Sequence, residues 1–161
     1  MKRQESFQGA DFLSNEQKSL LHGIALMEKD LRHVAAIIKE QGRKILKNYT
    51  ITPPQFSALQ WLLEHGDMTI GDLSNKMFLA FSTTTDLVDR MESSQLVKRV
   101  RDDKDRRVVR VHLLPEGERI IEEVIEKRQQ YLQEVLKNHD KQEIEQFSAL
   151  LAKLHEEMTR D

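Results

Sequence analysis

Residues 68–117 read MTIGDLSNKMFLAFSTTTDLVDRMESSQLVKRVRDDKDRRVVRVHLLPEG, and this stretch decides the fold. It begins with a short helix anchored by Leu73 and Met77, passes through a turn at Phe78-Leu79-Ala80-Phe81, and enters a second helix. Over Thr83–Glu92 a period of about 3.6 places Leu87, Val88 and Met91 on one side, while Thr83, Thr84, Asp86 and Arg90 fall elsewhere. One face is core and the other is free to touch something. Leu96–Arg101 and Arg107–Leu113 then alternate β-branched and charged residues around the polar tip Asp102–Arg106, which predicts a hairpin with a five-residue tip. The glycine-free turn takes its geometry, on this reading, from packing of its apolar side chains.

A helix-turn-helix followed by such a hairpin is a winged helix, whose second helix can enter the major groove while the hairpin lies along the backbone or the minor groove. The charge pattern agrees. Seven Lys or Arg between Lys98 and Arg110 face three Asp, a net +4 in a chain whose total is −2. A basic stripe on an otherwise acidic chain is the footprint of a duplex-binding surface. A solvated hairpin is the alternative for an isolated charged segment, and the preceding helix-turn-helix shifts the weight towards DNA.

The combination Leu87-Val88-Asp89-Arg90-Met91-Glu92, Gln95-Leu96-Val97, Asp105-Arg106-Arg107 and Leu113-Leu114-Pro115-Glu116-Gly117 resembles the MarR family of bacterial transcriptional regulators. The resemblance covers about fifty residues closely, and the flanking helices fit in layout more than in letters. It implies a homodimer with a winged helix in each subunit. In that family a Thr usually stands as N-cap where this chain has Leu114, so the helix beginning at Pro115 is less well capped.

Candidate contacts follow. Ser82, Thr83, Thr84 and Thr85 stand at the start of the recognition helix, where hydroxyls can bond phosphate oxygens and threonine methyls can touch thymine. Ser82 serves equally well as the N-cap alone. By resemblance, Asp89-Arg90 belongs to the family signature, with Arg90 contacting phosphate or holding the wing. Asp86 would read cytosine, pair with an arginine, or point away, since a carboxylate facing phosphate costs affinity. In the wing the resemblance assigns the minor-groove role to Arg106, with Asp105 fixing an arginine in one rotamer. Arg101, Lys104 and Arg107 are candidate backbone contacts.

Outward from this stretch, the composition bounds the alternatives. In 161 residues, 39% hydrophobic and 32% charged, there is room for one core plus long exposed helices. The absence of cysteine excludes disulfides, thiolate metal sites and thiol-based redox sensing. No apolar run exceeds five residues and the N-terminus lacks a signal-peptide core, which predicts a soluble, cytoplasmic protein. Six scattered histidines, with no Gly-rich phosphate loop and no nucleophile, base and orienter set, argue against an enzyme and imply no cofactor. His22, His33, Glu28 and Asp30 share one helix, but their spacing does not assemble a ligand set, so no metal site is assigned.

The rest of the chain predicts helices that seek partners. Residues 1–13 read as a flexible arm, and Ser14 with Gln17 forms a capping-box pattern. Leu20, Ile24, Met27, Leu31, Val34 and Ile38 recur at gaps of 4, 3, 4, 3 and 4 on a helix running to about Asn48. This seam suits either its own core or a second chain. Thr52-Pro53-Pro54-Gln55 starts a helix that carries Phe56, Leu59, Leu62 and Leu63, with Trp61 as a packing group, and stops at Gly66. Thr69-Ile70 is a candidate short strand against the wing.

After the wing, a helix from Pro115 to about Leu136 would bury Ile121, Val124, Ile125, Leu132 and Val135. Asp140 and Glu143 open a last helix bearing Ile144, Phe147, Leu151, Leu154 and Met158. The chain thus divides into an arm (1–13), an N-terminal dimerisation helix (14–50), a winged helix-turn-helix (51–114) and C-terminal dimerisation helices (115–161). The expected protein is mostly α: a homodimeric transcriptional regulator, read as a repressor, that binds a pseudo-palindromic operator in double-stranded DNA. The resemblance also implies a small aromatic or anionic ligand that releases it. The alternative is a winged-helix interaction module that docks an acidic protein partner.

Overall fold

The computed structural model describes residues 14–160; the predicted arm, 1–13, lies outside them. The chain divides into two compact units, residues up to Gly42 and residues from Arg43 onward. The first unit holds most of α1 (Asn15–Leu46). Its start is a reciprocal cap: Gln17 N–H donates to Ser14 Oγ at 3.1 Å and Ser14 N–H to Gln17 Oε1 at 2.9 Å. The apolar seam of α1 is open to solvent in the single chain, from Ile38 at 37% exposed to Leu20 at 64%. α1 ends two residues before the expected Asn48, where Asn48 and Tyr49 N–H turn back onto Ile45 and Leu46 carbonyls.

The second unit carries the winged helix. α2 (Pro53–His65) begins with the expected capping box between Thr52 and Gln55 and closes at Gly66, whose φ of 74° favours glycine. β1 (Met68–Thr69) pairs antiparallel with β3 (Val109–Leu113), which pairs in turn with β2 (Val97–Arg101), giving the order β1-β3-β2. The expected strand Thr69-Ile70 is thereby displaced by one residue. Thr69 is both the last strand residue and the N-cap of α3 (Ile70–Met77), accepting from Asp72 N–H at 3.0 Å, so Ile70 is already helical. α4 (Phe81–Ser93), α5 (Pro115–Val135) and α6 (Lys141–Thr159) complete the unit.

One core joins α2 through α5 and the sheet; α6 has no residue in it. Leu59 and Leu62 of α2, Leu73 of α3, Val88 and Met91 of α4, Val97 and Val111 of the sheet, and Ile121 and Val124 of α5 are all buried. Trp61 packs at its edge with the Lys76 ammonium 5.3 Å from the ring centre, the packing role its size favours. α5 starts at Pro115 after the uncapped Leu114, and Asp140 caps α6 through Glu143 N–H.

Two expectations fail here. Leu132 and Val135 are 45% and 54% exposed, because only the first half of α5, through Ile125, packs on the core. The α3–α4 turn is not held by apolar packing either: Phe78 is 95% exposed and Phe81 61%. Backbone geometry holds it instead, with Phe78 in the left-handed region at φ 53° and its neighbour's N–H, that of Leu79, donating to Ser74 O at 3.0 Å.

Candidate nucleic-acid interface

The recognition helix starts earlier than its threonines suggest. Ala80 occupies the N-cap position of α4 and makes no side-chain cap bond. Ser82 is therefore inside the first turn and is not the N-cap. Ser82, Thr83, Asp86 and Arg90 are exposed. Thr84 is not: it is fully buried, and its hydroxyl donates to Ala80 O at 3.1 Å, so the expectation that it meets DNA is overturned. It shares the inward face with Val88 and Met91 because the helix begins at Phe81 and the buried stripe extends one turn further back. Thr85 is half-buried, and its hydroxyl is likewise turned onto the backbone, donating to Phe81 O at 3.0 Å.

A residue outside the expected set, Arg99, ties the wing to α4. Its Nη2 lies 2.5 Å from Asp89 Oδ1 and its Nη1 2.5 Å from Glu92 Oε2, while its backbone N–H donates to Glu92 Oε1 at 2.8 Å. Burial works against the guanidinium charge, and the hydrogen bonds it donates to Asp89 and Glu92 outweigh that, holding the group above its ordinary value. Asp89 and Glu92, three apart on one flank of the helix, were the available signal. Arg90 and Asp86 form no ion pair with a described residue.

The wing's tip is longer than five residues. The β2–β3 ladder stops at Arg101 and resumes at Val109, so Arg107 and Val108, expected in the strand, belong to the tip. The cause is Asp102. Its Oδ1 accepts from Lys104 and Asp105 N–H at 2.8 and 3.1 Å, which turns the chain out of the ladder, and its Oδ2 accepts from Arg110 Nε at 2.5 Å. The Arg110 bond first, then the two backbone N–H groups, pull the Asp102 carboxyl down to about 2. Asp105 grips the Arg107 guanidinium at 3.0 Å through both oxygens, and those bonds hold its carboxyl below the usual range. His112 Nδ1 lies 2.8 Å from Asp67 Oδ1, joining β3 to the α2–β1 turn.

This pairing sorts the seven cations of the wing. Arg99, Arg107 and Arg110 are engaged by carboxylates. Lys98, Arg101, Lys104 and Arg106 are exposed and have no ion pair among the described residues. A shallow groove of about 420 Å³ is lined by Lys98, Arg101 and Lys104 with Arg110 and the carboxylates of Asp102 and Asp103. With Asp67 also on its wall, the lining carries four cations against three carboxylates, a polar surface that does not suit an apolar ligand. No group of three or more His, Asp or Glu side chains that could hold a metal ion occurs among the described residues, and no helix there is long and apolar enough to cross a membrane.

The exposed seams of the flanking helices have a common character. On α6 no residue is buried, and Ile144, Phe147, Leu151 and Met158 are between 40% and 75% exposed, with Leu154 half-buried. Leu20, Ile24 and Met27 of α1 are exposed in the same way.

Comparison with known proteins places this geometry. The MarR family model matches residues 51–109, from the start of α2 into the wing. The chain is 62% identical over 140 residues to YsmB, an uncharacterised HTH-type transcriptional regulator of Bacillus subtilis (strain 168), covering 87% of this chain and 96% of that one. It is 31% identical over 130 residues to the HTH-type transcriptional repressor MdtR of the same organism, covering 81% and 79%. The structure of a MarR family protein from Bacillus stearothermophilus superposes with a TM-score of 0.83 at 59% identity, covering 92% of this chain and all of that one. A structure of NadR in complex with 4-hydroxyphenylacetate superposes at 0.64 with 26% identity, covering 80% and 91%. Matched along most of its length by proteins of one kind, this chain belongs to the MarR family of DNA-binding transcriptional regulators.

Proposed function

We propose that the protein acts in the cytoplasm as a homodimer that binds a pseudo-palindromic duplex operator and represses transcription until a small molecule releases it. The observation that carries this reading is the wing: four cations without ion pairs among the described residues stand on a hairpin that Arg99 fixes to the recognition helix. Ser82 and Thr83 offer hydroxyls to the groove, Arg90 and the cations Arg101 and Lys104 meet backbone phosphates, and Arg106 enters the minor groove. Arg107, which Asp105 orients, is 90% exposed and completes the backbone contacts. Asp86, exposed on the same helix, accepts from a cytosine amino group or stands clear of phosphate.

The dimer is supported by the solvent-facing apolar seams. Leaving Leu20, Ile24 and Met27 on α1 and Ile144, Phe147, Leu151, Leu154 and Met158 on α6 in water is costly, and a second copy removes that cost. Two-fold symmetry then sets half-sites about one helical turn apart. MdtR's designation as a repressor supports the sign of regulation, and the hydroxyphenylacetate complex of NadR supports a small aromatic anion as the class of ligand. Such a ligand acts only by binding the DNA-free conformation more tightly.

Arg106→Ala tests the reading. Its loss from both subunits of the dimer is expected to weaken duplex binding and to make the slope of log affinity against log salt shallower by about two. An unchanged affinity and slope would remove Arg106 from the interface, and salt-sensitive capture of an acidic protein with no duplex binding would replace the DNA reading altogether.

A further inference from the structure

Two large apolar side chains at the head of the recognition helix do nothing for the fold of the single chain. Phe78 is 95% exposed and Phe81 is 61% exposed. Phe81 is the first residue of α4, and Phe78, three residues earlier, sits in the left-handed region at φ 53°. A bulky side chain is rare there, and glycine or asparagine would satisfy the same turn with less strain. The turn needs the backbone shape, not the ring. Neither ring gains burial in return.

The neighbouring chemistry says what covers them. The hydroxyls of Thr84 and Thr85 are spent on the carbonyls of Ala80 and Phe81, so the start of α4 offers hydrocarbon beside the remaining hydroxyls of Ser82 and Thr83. The same folded unit presents the cations Lys98, Arg101, Lys104 and Arg106, a charge complementary to nucleic acid and adverse to a purely apolar partner. On the base edges of a major groove, the apolar feature is the C5-methyl group of thymine, which a phenyl ring can contact.

We propose that Phe78 and Phe81 form an apolar reading element that packs on thymine methyl groups in each half-site and so sets a thymine requirement there. This inference rests on the DNA-binding reading above and adds to it the chemical identity of the bases read.

The test uses the full-length protein and a duplex enriched by it from a randomised pool. Each thymine of that duplex is replaced in turn by uracil, which keeps the hydrogen-bonding edge and lacks only the methyl. The wild type is expected to lose about fourfold in affinity for each contacted methyl removed. Phe81→Ser and Phe78→Asn should bind the thymine and uracil duplexes equally at those positions and keep the salt slope of the wild type. Asparagine is chosen at position 78 because it tolerates the left-handed region, so that this variant carries the test if Phe81→Ser does not fold. Wild-type indifference to uracil at every position, or an undiminished uracil penalty in the folded variants, overturns the proposal and leaves DNA binding standing. Failure of the pool to enrich any sequence overturns the DNA-binding reading itself.

Discussion

Replacing Gly117 by alanine puts the joint between α5 and the wing under direct strain. A Cβ there would lie 2.3 Å from Leu96 O, 2.9 Å from Leu113 Cδ1 and 3.1 Å from Leu59 Cδ2. The leucine side chain of residue 113 can swing, but Leu96 O is backbone and accepts from Leu114 N–H at 3.0 Å, and Leu59 is fully buried. The backbone must therefore retreat. Overpacking of this kind costs about 1–3 kcal/mol. Weakening the Leu114–Leu96 bond adds about 1 kcal/mol, and the better helix propensity of alanine returns up to ~1 kcal/mol. With the full propensity return the net is a loss of roughly 1–3 kcal/mol. With a urea slope of about 2 kcal/mol/M, the unfolding midpoint should fall by about 0.5–1.5 M. The assay is urea unfolding followed by circular dichroism at one fixed protein concentration, since dimerisation would couple to stability. A midpoint that stays within about 0.3 M of wild type, or rises, would refute the argument that α5 needs a glycine to reach the start of β2.

Gln95, at φ 57°, closes α4 in the left-handed region, so Gln95→Gly should stabilise the chain by up to ~1 kcal/mol in the same urea assay; a loss would mean the glutamine side chain earns its place by other contacts. Arg110→Gln should release the Asp102 carboxyl from about 2 towards an ordinary aspartate value, read by carbon NMR across a pH series. Because that carboxyl is depressed in the fold, its contribution to stability is present above the unfolded value and is lost as pH falls towards 2; the variant should lose the Arg110 share of this acid-side dependence and keep the part that the Lys104 and Asp105 N–H groups supply. Ile24→Glu or Leu151→Glu places a charge in an apolar seam and should raise the dimer Kd by roughly thirtyfold or more, about 2 kcal/mol, in sedimentation equilibrium. A dimer of unchanged strength in both variants would remove those seams from the interface.

The elements whose signals are local were legible in the sequence. Thr52-Pro53-Pro54-Gln55 specified its own cap, and Gly66 its own stop, because each depends on a few consecutive residues. The wing's alternation of β-branched and charged residues likewise gave its pairing in outline. What the sequence hid was decided by geometry between elements. Thr84 looks like its neighbours Thr83 and Thr85, but it stands four residues before Val88 and seven before Met91, which puts it on their inward face once α4 begins as early as Phe81. Arg99 is one of seven similar cations, and only the approach of β2 to Asp89 and Glu92 singles it out. The length of the tip depended on one carboxylate, Asp102, accepting from two N–H groups ahead of it. Phe78 was misread as a packing residue because an aromatic side chain in a turn is ordinarily buried, whereas here the backbone alone closes the turn.

Fluorescence anisotropy of the full-length protein against the enriched duplex and a scrambled duplex of equal composition, each across a salt series, decides whether this protein binds a specific duplex through its wing. Four cations on each wing, without ion pairs among the described residues, allow at most eight phosphate contacts from these residues in a dimer, a slope of log affinity against log salt as steep as about −7. The account predicts tight binding to the enriched duplex at one dimer per site, weak binding to the scrambled one, and a strong salt dependence for both. Equal affinity for the two duplexes with a slope near zero would contradict it.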